Sequence, residues 1–185
     1  MKRLFIAVNV EPGTNLTKAL TAFRAGLAFE NIRWVDNSGL HLTLAFLGDT
    51  EEDRIRPLSM VMKQKCSGVQ PFEFILKGSG IFRNRKAPKV IWLGAEKTEQ
   101  LYVLYNSIRE GLDEAGFVAE GRQFSPHLTI GRIKSLKDRG ALETIIAKYR
   151  ETEFQTIKVE SVILYQSILL GTGPVYKVVD RFRLS

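Results

Sequence analysis

Two four-residue stretches of this sequence are nearly identical. His41-Leu42-Thr43-Leu44 and His127-Leu128-Thr129-Ile130 stand 86 positions apart and contain both histidines of the chain. Landmarks around them keep step. Gly26-Leu27 precedes His41 by 15 positions and Gly111-Leu112 precedes His127 by 16, while Pro88 and Pro174 each follow their histidine by 47. An internal repeat at this spacing predicts one structural unit made twice, the two copies burying their apolar faces in a common core.

Local patterns fill in that unit. Residues 3–10 read as a strand, and Leu16, Leu20, Phe23 and Leu27 recur at helical spacing over 14–28. Leu40–Leu47 is an apolar, threonine-containing strand bounded by turn residues, and a helix is expected within 50–66, starting near Pro57 or broken by it. Pro71–Leu76 and Pro88–Leu93 read as an antiparallel pair with a long basic connection from Lys77 to Ala87. A third helix is expected from Thr98 to Ala115, stopped by Gly116. Phe124–Ile133 is the second histidine strand, 137–149 a fourth helix, and 154–170 with 174–183 a closing pair of strands. Helix, histidine strand, helix, strand, strand thus occurs twice. We read an α+β fold of two pseudo-symmetric lobes, approximate halves 12–95 and 96–183, forming one bilobal domain. A cleft between them would receive one histidine from each.

Composition narrows the class. A chain of 185 residues is long enough to bury a core without a metal or disulfide staple. No apolar run approaches a membrane span, and Asn9 and Glu11-Pro12 cut the N-terminal run short of a signal sequence. The single cysteine, Cys66, excludes an internal disulfide and a multi-cysteine zinc site, and makes a cytoplasmic location the default. A net charge of +7 favours polyanionic partners, although a merely soluble basic protein has the same balance.

Side chains alternate faces along a strand, so each histidine shares a face with the threonine two positions on, and the intervening Leu points to the core. One such motif alone suits a buried structural histidine. Two in equivalent places suit a shared site. Opening a cyclic phosphodiester requires a proton taken from water on one side of phosphorus and a proton given to the departing sugar oxygen on the other. A pair of imidazoles with pKa values near 6.5 serves both needs. Threonine hydroxyls would hold the non-bridging oxygens. Arg132 follows His127 by five positions, on the opposite face by strict alternation, unless a bulge near Gly131 re-aims it toward the phosphate. Phe46 has the same offset from His41 and suits either stacking on a base or core packing.

Other signals are weaker. Lys77, Arg83, Arg85, Lys86 and Lys89 crowd a stretch without acidic residues, fit either for tracking RNA or for plain solvation. Gly78-Ser79-Gly80 and Gly171-Thr172-Gly173 lack phosphate-loop spacing and read as turns. Asp36, Glu51, Glu52 and Asp53 do not combine with histidine at metal-ligand spacing, so no metal or cofactor is expected. Cys66 has no adjoining histidine and is expected to be unreactive.

The whole chain resembles the 2H phosphoesterase superfamily, and within it the bacterial and archaeal RNA 2',3'-cyclic phosphodiesterases, historically called 2'-5' RNA ligases. Beyond the paired motifs, the likeness is carried by Arg3-Leu4-Phe5-Ile6-Ala7, Arg33-Trp34-Val35, Phe46-Leu47-Gly48, Phe124-Ser125-Pro126 and Gly173-Pro174-Val175-Tyr176. The resemblance implies antiparallel sheets lining a central cleft with helices outside, and hydrolysis of RNA 2',3'-cyclic phosphate ends to 2'-phosphomonoesters. It implies catalytic roles for His41 and His127, phosphate binding by Thr43, Thr129 and Arg132, and base binding by Phe46. Ser125 departs from the arginine common in the family. The expected partner is RNA with a cyclic phosphate end, such as tRNA fragments or nucleotides, acted on by a monomer with no obligate protein partner. Near-symmetry leaves the acid and the base unassigned. A 2'-5' ligase or 2'-5' phosphodiesterase at the same site, or a non-catalytic RNA or nucleotide binding module, remain the alternatives.

Overall fold

The computed structural model describes residues 1–117, 123–171 and 173–185. Among them are nine strands and four helices, with every strand pairing antiparallel. The strands are β1 (Lys2–Asn9), β2 (Asn31–Trp34), β3 (His41–Thr50), β4 (Phe72–Asn84), β5 (Ala87–Glu96), β6 (His127–Ser135), β7 (Glu153–Val159), β8 (Ser161–Leu170) and β9 (Gly173–Arg183). The helices are α1 (Thr14–Gly26), α2 (Ile55–Ser67), α3 (Glu99–Glu114) and α4 (Arg139–Lys148).

Each helix buries the residues that its spacing places on one side: Leu16, Leu20 and Phe23 on α1, Leu58, Met62 and Cys66 on α2, Leu101, Leu104, Ile108 and Leu112 on α3. Pro57 falls in the first turn of α2, where an N–H is not required, so the helix runs unbroken. Past the end of α3, Gly116 takes a left-handed conformation, φ +71°. On α4 the side chain of Asp138 accepts from the N–H of Ala141 and caps the N-terminus. No helix of the described residues is long and apolar enough to cross a membrane.

The strand order β7-β4-β5-β6-β3-β1-β8-β9 places the two histidine strands side by side at the centre. Their ladder is short. β3 and β6 join through Leu42 opposite Leu128, after which β6 exchanges β3 for β2, with Arg33 opposite Arg132 and Trp34 opposite Gly131. A cleft lies on one face of the sheet at this seam, while the buried stripes of the helices join the core on the other, with Tyr105 and Arg109 of α3 reaching the cleft. β1 is buried on both faces. Leu4, Ile6 and Val8 enter the main core, and Phe5 and Ala7 form a smaller cluster with Ile163 and Tyr165, covered by Tyr176.

Four local expectations are corrected. Lys77–Ala87 is no long connection. β4 and β5 form a continuous hairpin, closed tightly at Arg85-Lys86, both with positive φ (45° and 70°). Gly78-Ser79-Gly80 is not a turn but part of β4. Gly78 sits at a bulge with φ +74°, where a Cβ would come within 2.7 Å of the Arg150 carbonyl, and Gly80 lies under the indole of Trp92. The span 154–170 is two strands, turning at Glu160. β2 was not anticipated. Of the Gly171-Thr172-Gly173 turn, Thr172 lies outside the described residues.

Candidate active site

His41, Thr43, His127, Thr129, Arg132 and Phe46, the residues singled out in the sequence, all line one cleft of roughly 520 Å³. Strand geometry builds it. Because Leu42 opposes Leu128 in an antiparallel ladder, each histidine lies across from the other motif's threonine, so the four polar side chains form a square around the seam. The Leu side chains point the other way and are fully buried.

Both imidazoles are oriented by the same contact. His41 Nδ1 lies 2.7 Å from the carbonyl oxygen of Gly39, and His127 Nδ1 lies 2.7 Å from that of Ser125. A carbonyl only accepts, so Nδ1 of each ring is the N–H donor, and in the neutral ring Nε2 is left as the acceptor. The Ser125 contact uses main chain alone. The departure from arginine at that position therefore leaves the orientation of His127 intact.

A bulge in each histidine strand explains the offset residues. Along β5, Ile91 opposes Gly131 and Trp92 opposes Thr129, so Ile130 is an extra residue on β6. Along β1, Ile6 opposes Ala45 and Ala7 opposes Thr43, making Leu44 the extra residue on β3. Both fall three residues past the histidine and reverse the alternation. Arg132 and Phe46 consequently turn onto the cleft face. The bulge near Gly131 thus lies one residue earlier, at Ile130. Phe46 is 52% exposed, which places it on the wall of the cleft and not in the core.

Burial lowers the pKa of both histidines from the usual 6.5, and Arg132 adds to the depression of each; the carbonyl bonds at Nδ1 act in the opposite sense. For His41, the neighbouring His127 lowers it further. The surroundings differ. The His41 ring is walled by Phe5 at 4.9 Å and Tyr176 at 4.9 Å between centroids, with Tyr165 behind at 6.2 Å, whereas the His127 ring meets Phe82 edge-on at 4.7 Å. Burial raises the Tyr176 phenol, an effect that Arg132 opposes.

Tyr176, Phe82, Tyr105, Arg109 and Phe124 also line the cleft, and none was identified as a site residue from the sequence. Tyr105 and Phe124 stack at 4.1 Å with 4° between their planes, and Arg109 Nη1 donates to the Tyr105 hydroxyl at 3.3 Å. Tyr176 and Phe124 alone carried a signal, through the Gly173-Pro174-Val175-Tyr176 and Phe124-Ser125-Pro126 segments. The others come from elements whose placement depends on the tertiary fold.

Among the described residues, no group of three or more His, Cys, Asp or Glu is arranged to hold a metal ion. Cys66 is buried in α2, away from the cleft, and its thiol is pushed up to about 12 by burial, which suppresses the thiolate.

A family model for the 2'-5' RNA ligase superfamily matches residues 12–168. A protein from Methanothermobacter thermautotrophicus named RNA 2',3'-cyclic phosphodiesterase is 32% identical over 182 residues, 98% of either chain. One of the same name from Thermotoga maritima is 38% identical over 147 residues, 78% of this chain and 75% of its own. A crystal structure of a Thermus thermophilus protein aligns with a TM-score of 0.79 at 29% identity, covering 98% of this chain and 97% of that one.

Proposed function

The chain belongs to the 2'-5' RNA ligase superfamily, the 2H phosphoesterases, and from that premise we propose that it hydrolyses RNA 2',3'-cyclic phosphate ends to 2'-phosphomonoesters with His41 and His127 as base and acid. The observation that carries the reading is the matched pair of Nδ1–carbonyl bonds, which leaves two Nε2 atoms for one cleft. The RNA 2',3'-cyclic phosphodiesterases at 28–38% identity support the substrate class.

In the proposed reaction, one neutral Nε2 takes a proton from water as the water oxygen bonds to phosphorus. The other, protonated, gives its proton to O3' as the P–O3' bond breaks. One water is consumed, and a 2'-phosphate and a free 3'-hydroxyl result. The more enclosed His41, flanked by Phe5, Tyr165 and Tyr176, is the harder to charge and takes the part of base. His127, in the more open position, takes that of acid. The bound phosphate anion favours protonation of one ring. Thr43 and Thr129 donate to the non-bridging oxygens, Arg132 offsets the charge developing on phosphorus, and Phe46 stacks on the terminal base. No step calls on a metal ion. Residues 12–95 and 96–183 act in this scheme as two halves of one bilobal unit, each supplying one histidine.

The test is turnover of an RNA bearing a 2',3'-cyclic phosphate, in EDTA, by wild type, His41→Ala and His127→Ala. Each variant should lose on the order of 10²- to 10⁴-fold, and the product should be the 2'-phosphate alone. Wild-type rates in both variants would sink the mechanism.

One observation favours ligation as a second reading. A smaller cavity of about 260 Å³ adjoins the other side of His127, lined by Phe82, Trp92, Thr98 and Tyr102. A second nucleoside seated there would bring its 5'-hydroxyl to phosphorus from the His127 side, with the cyclic phosphate turned so that O3' faces His41; His127 then takes the hydroxyl proton as the base and His41 gives its proton to O3' as the acid. Formation of a 2'-5' linkage from a cyclic phosphate end and a 5'-hydroxyl end decides between the two.

A further inference from the structure

Resting on the cyclic phosphate reading above, we propose that the β4–β5 hairpin is an RNA-binding arm, engaging the phosphates upstream of the cyclic end as the strand leaves the cleft. The cleft face carries a row across four strands: Arg33 on β2, Arg132 on β6, Val90 on β5 and Phe82 on β4, each opposite the next in the ladder. Arg132, Val90 and Phe82 line the cleft itself. Beyond that row the hairpin continues to its turn at Arg85-Lys86, on the order of 10 Å farther at the rise of a strand, about the reach of the next one or two phosphates of a single strand.

Charge collects at this end. Arg83, Arg85, Lys86 and Lys89 occupy the hairpin end, and Arg33 and Lys134 stand beside Arg132; all six are exposed. Among the described residues, no ion pair involves any of them. Lys77 is different, being held by Glu96 at the far end of the hairpin, and takes no part.

The turn gives a second, independent observation. Two successive residues with positive φ are what a two-residue hairpin turn of the favoured twist requires, and Asn-Gly is the sequence that meets the requirement without strain. This chain places Arg85 and Lys86 there instead, at φ 45° and 70°. Both are side chains that seldom adopt this conformation. Folding alone would be better served by another pair, so what the position retains is two cations held out beyond the cleft.

The test exploits that conflict. The double variant Arg85→Asn with Lys86→Gly keeps the turn geometry and should melt no lower than wild type. With a mononucleoside 2',3'-cyclic phosphate its kcat/KM should equal that of wild type. With a single-stranded oligoribonucleotide ending in the same cyclic nucleotide, kcat/KM should fall roughly tenfold at low salt. The slope of log binding against log salt should drop by about 1.4, at about 0.7 for each single-strand phosphate that the variant no longer neutralises. Equal turnover of both substrates by variant and wild type would overturn the arm. Binding of a fluorescent oligoribonucleotide is followed in parallel by anisotropy. If wild type opened neither substrate, the catalytic reading would fall, and the arm would still stand or fall on whether the variant binds that oligonucleotide more weakly.

Discussion

Leu42 and Leu128 face each other across the seam between the histidine strands, both with 0% exposure, and each is flanked by the histidine and the threonine of its own motif. This pair joins the two flanks of the sheet and sets the spacing of the site. Packing and catalysis therefore meet at one point.

Leu42→Ala and Leu128→Ala should each destabilise the protein by about 2–5 kcal/mol, the range for truncating a fully buried leucine. Because the side chains are neighbours, the double variant should depart from additivity by roughly 0.5–3 kcal/mol. Urea unfolding measures both. Each single variant should also lose kcat at temperatures where it is fully folded, since the histidines beside the truncated residue lose their spacing. Unchanged kcat would show that the seam is only structural.

The paired motifs were legible because they depend on rules within one strand. Alternation puts His and Thr on one face, and two copies of it imply a shared cleft. The four α-helices of the described residues were likewise anticipated, the first from the helical spacing of Leu16, Leu20, Phe23 and Leu27 and the third from its stop at Gly116. What was hidden depended on other parts of the chain. The glycines of Gly78-Ser79-Gly80 resemble a turn until Trp92 is seen covering Gly80. β2 offers only four residues, half of them exposed, and exists because β6 needs a partner where β3 has left it. Tyr105 and Arg109 belong to no motif shared with the histidines, and only the fold carries the third helix to the cleft.

The pH dependence should be displaced toward acid. Both histidines have folded pKa values below 6.5, and the reaction needs one ring neutral and one protonated. The kcat/KM profile, which reports the free enzyme, should therefore peak below pH 6.5 and decline above it as the acid loses its proton. Arg132→Gln removes one of the causes of the depression and should move this profile toward higher pH. It should also lower kcat by roughly 10²–10³ through the lost charge stabilisation. The same shifts bear on stability. A neutral ring is favoured in the fold, so this contribution is complete above the unfolded pKa of about 6.5 and is lost as pH falls through the lower folded values. Melting temperatures should thus decline on acidification below that point, and less so in His41→Ala.

Thr43→Val and Thr129→Val remove a hydroxyl while nearly preserving shape. Both threonines stand opposite a histidine at the seam, so each should cost about 10- to 100-fold in kcat if its hydroxyl holds a phosphate oxygen in the transition state. Thermal stability should stay close to wild type, as both side chains face the cleft. Steady-state kinetics on a mononucleoside cyclic phosphate reads the effect without contribution from the cations at the hairpin turn. A rise in KM with kcat unchanged would assign the hydroxyls to ground-state binding only.

Gly80→Ala tests how Trp92 supports the site. A Cβ on residue 80 would collide with Cζ2, Cη2 and Cε2 of the indole, and Trp92 opposes Thr129 in the β5–β6 ladder. The indole Nε1 is buried and has no acceptor among the described residues, so packing alone holds the ring and no hydrogen bond resists its displacement. Forcing a methyl into this contact should cost about 1–3 kcal/mol and move Trp92 against the neighbouring strand, lowering kcat through Thr129 and His127. A compensating Trp92→Leu change would relieve the collision and should restore the melting temperature of Gly80→Ala more fully than its kcat, because the aromatic wall beside Phe82 and His127 would be gone. Wild-type melting temperature and turnover in Gly80→Ala would mean that the indole has room to shift, and its packing would then have no part in positioning the second histidine strand.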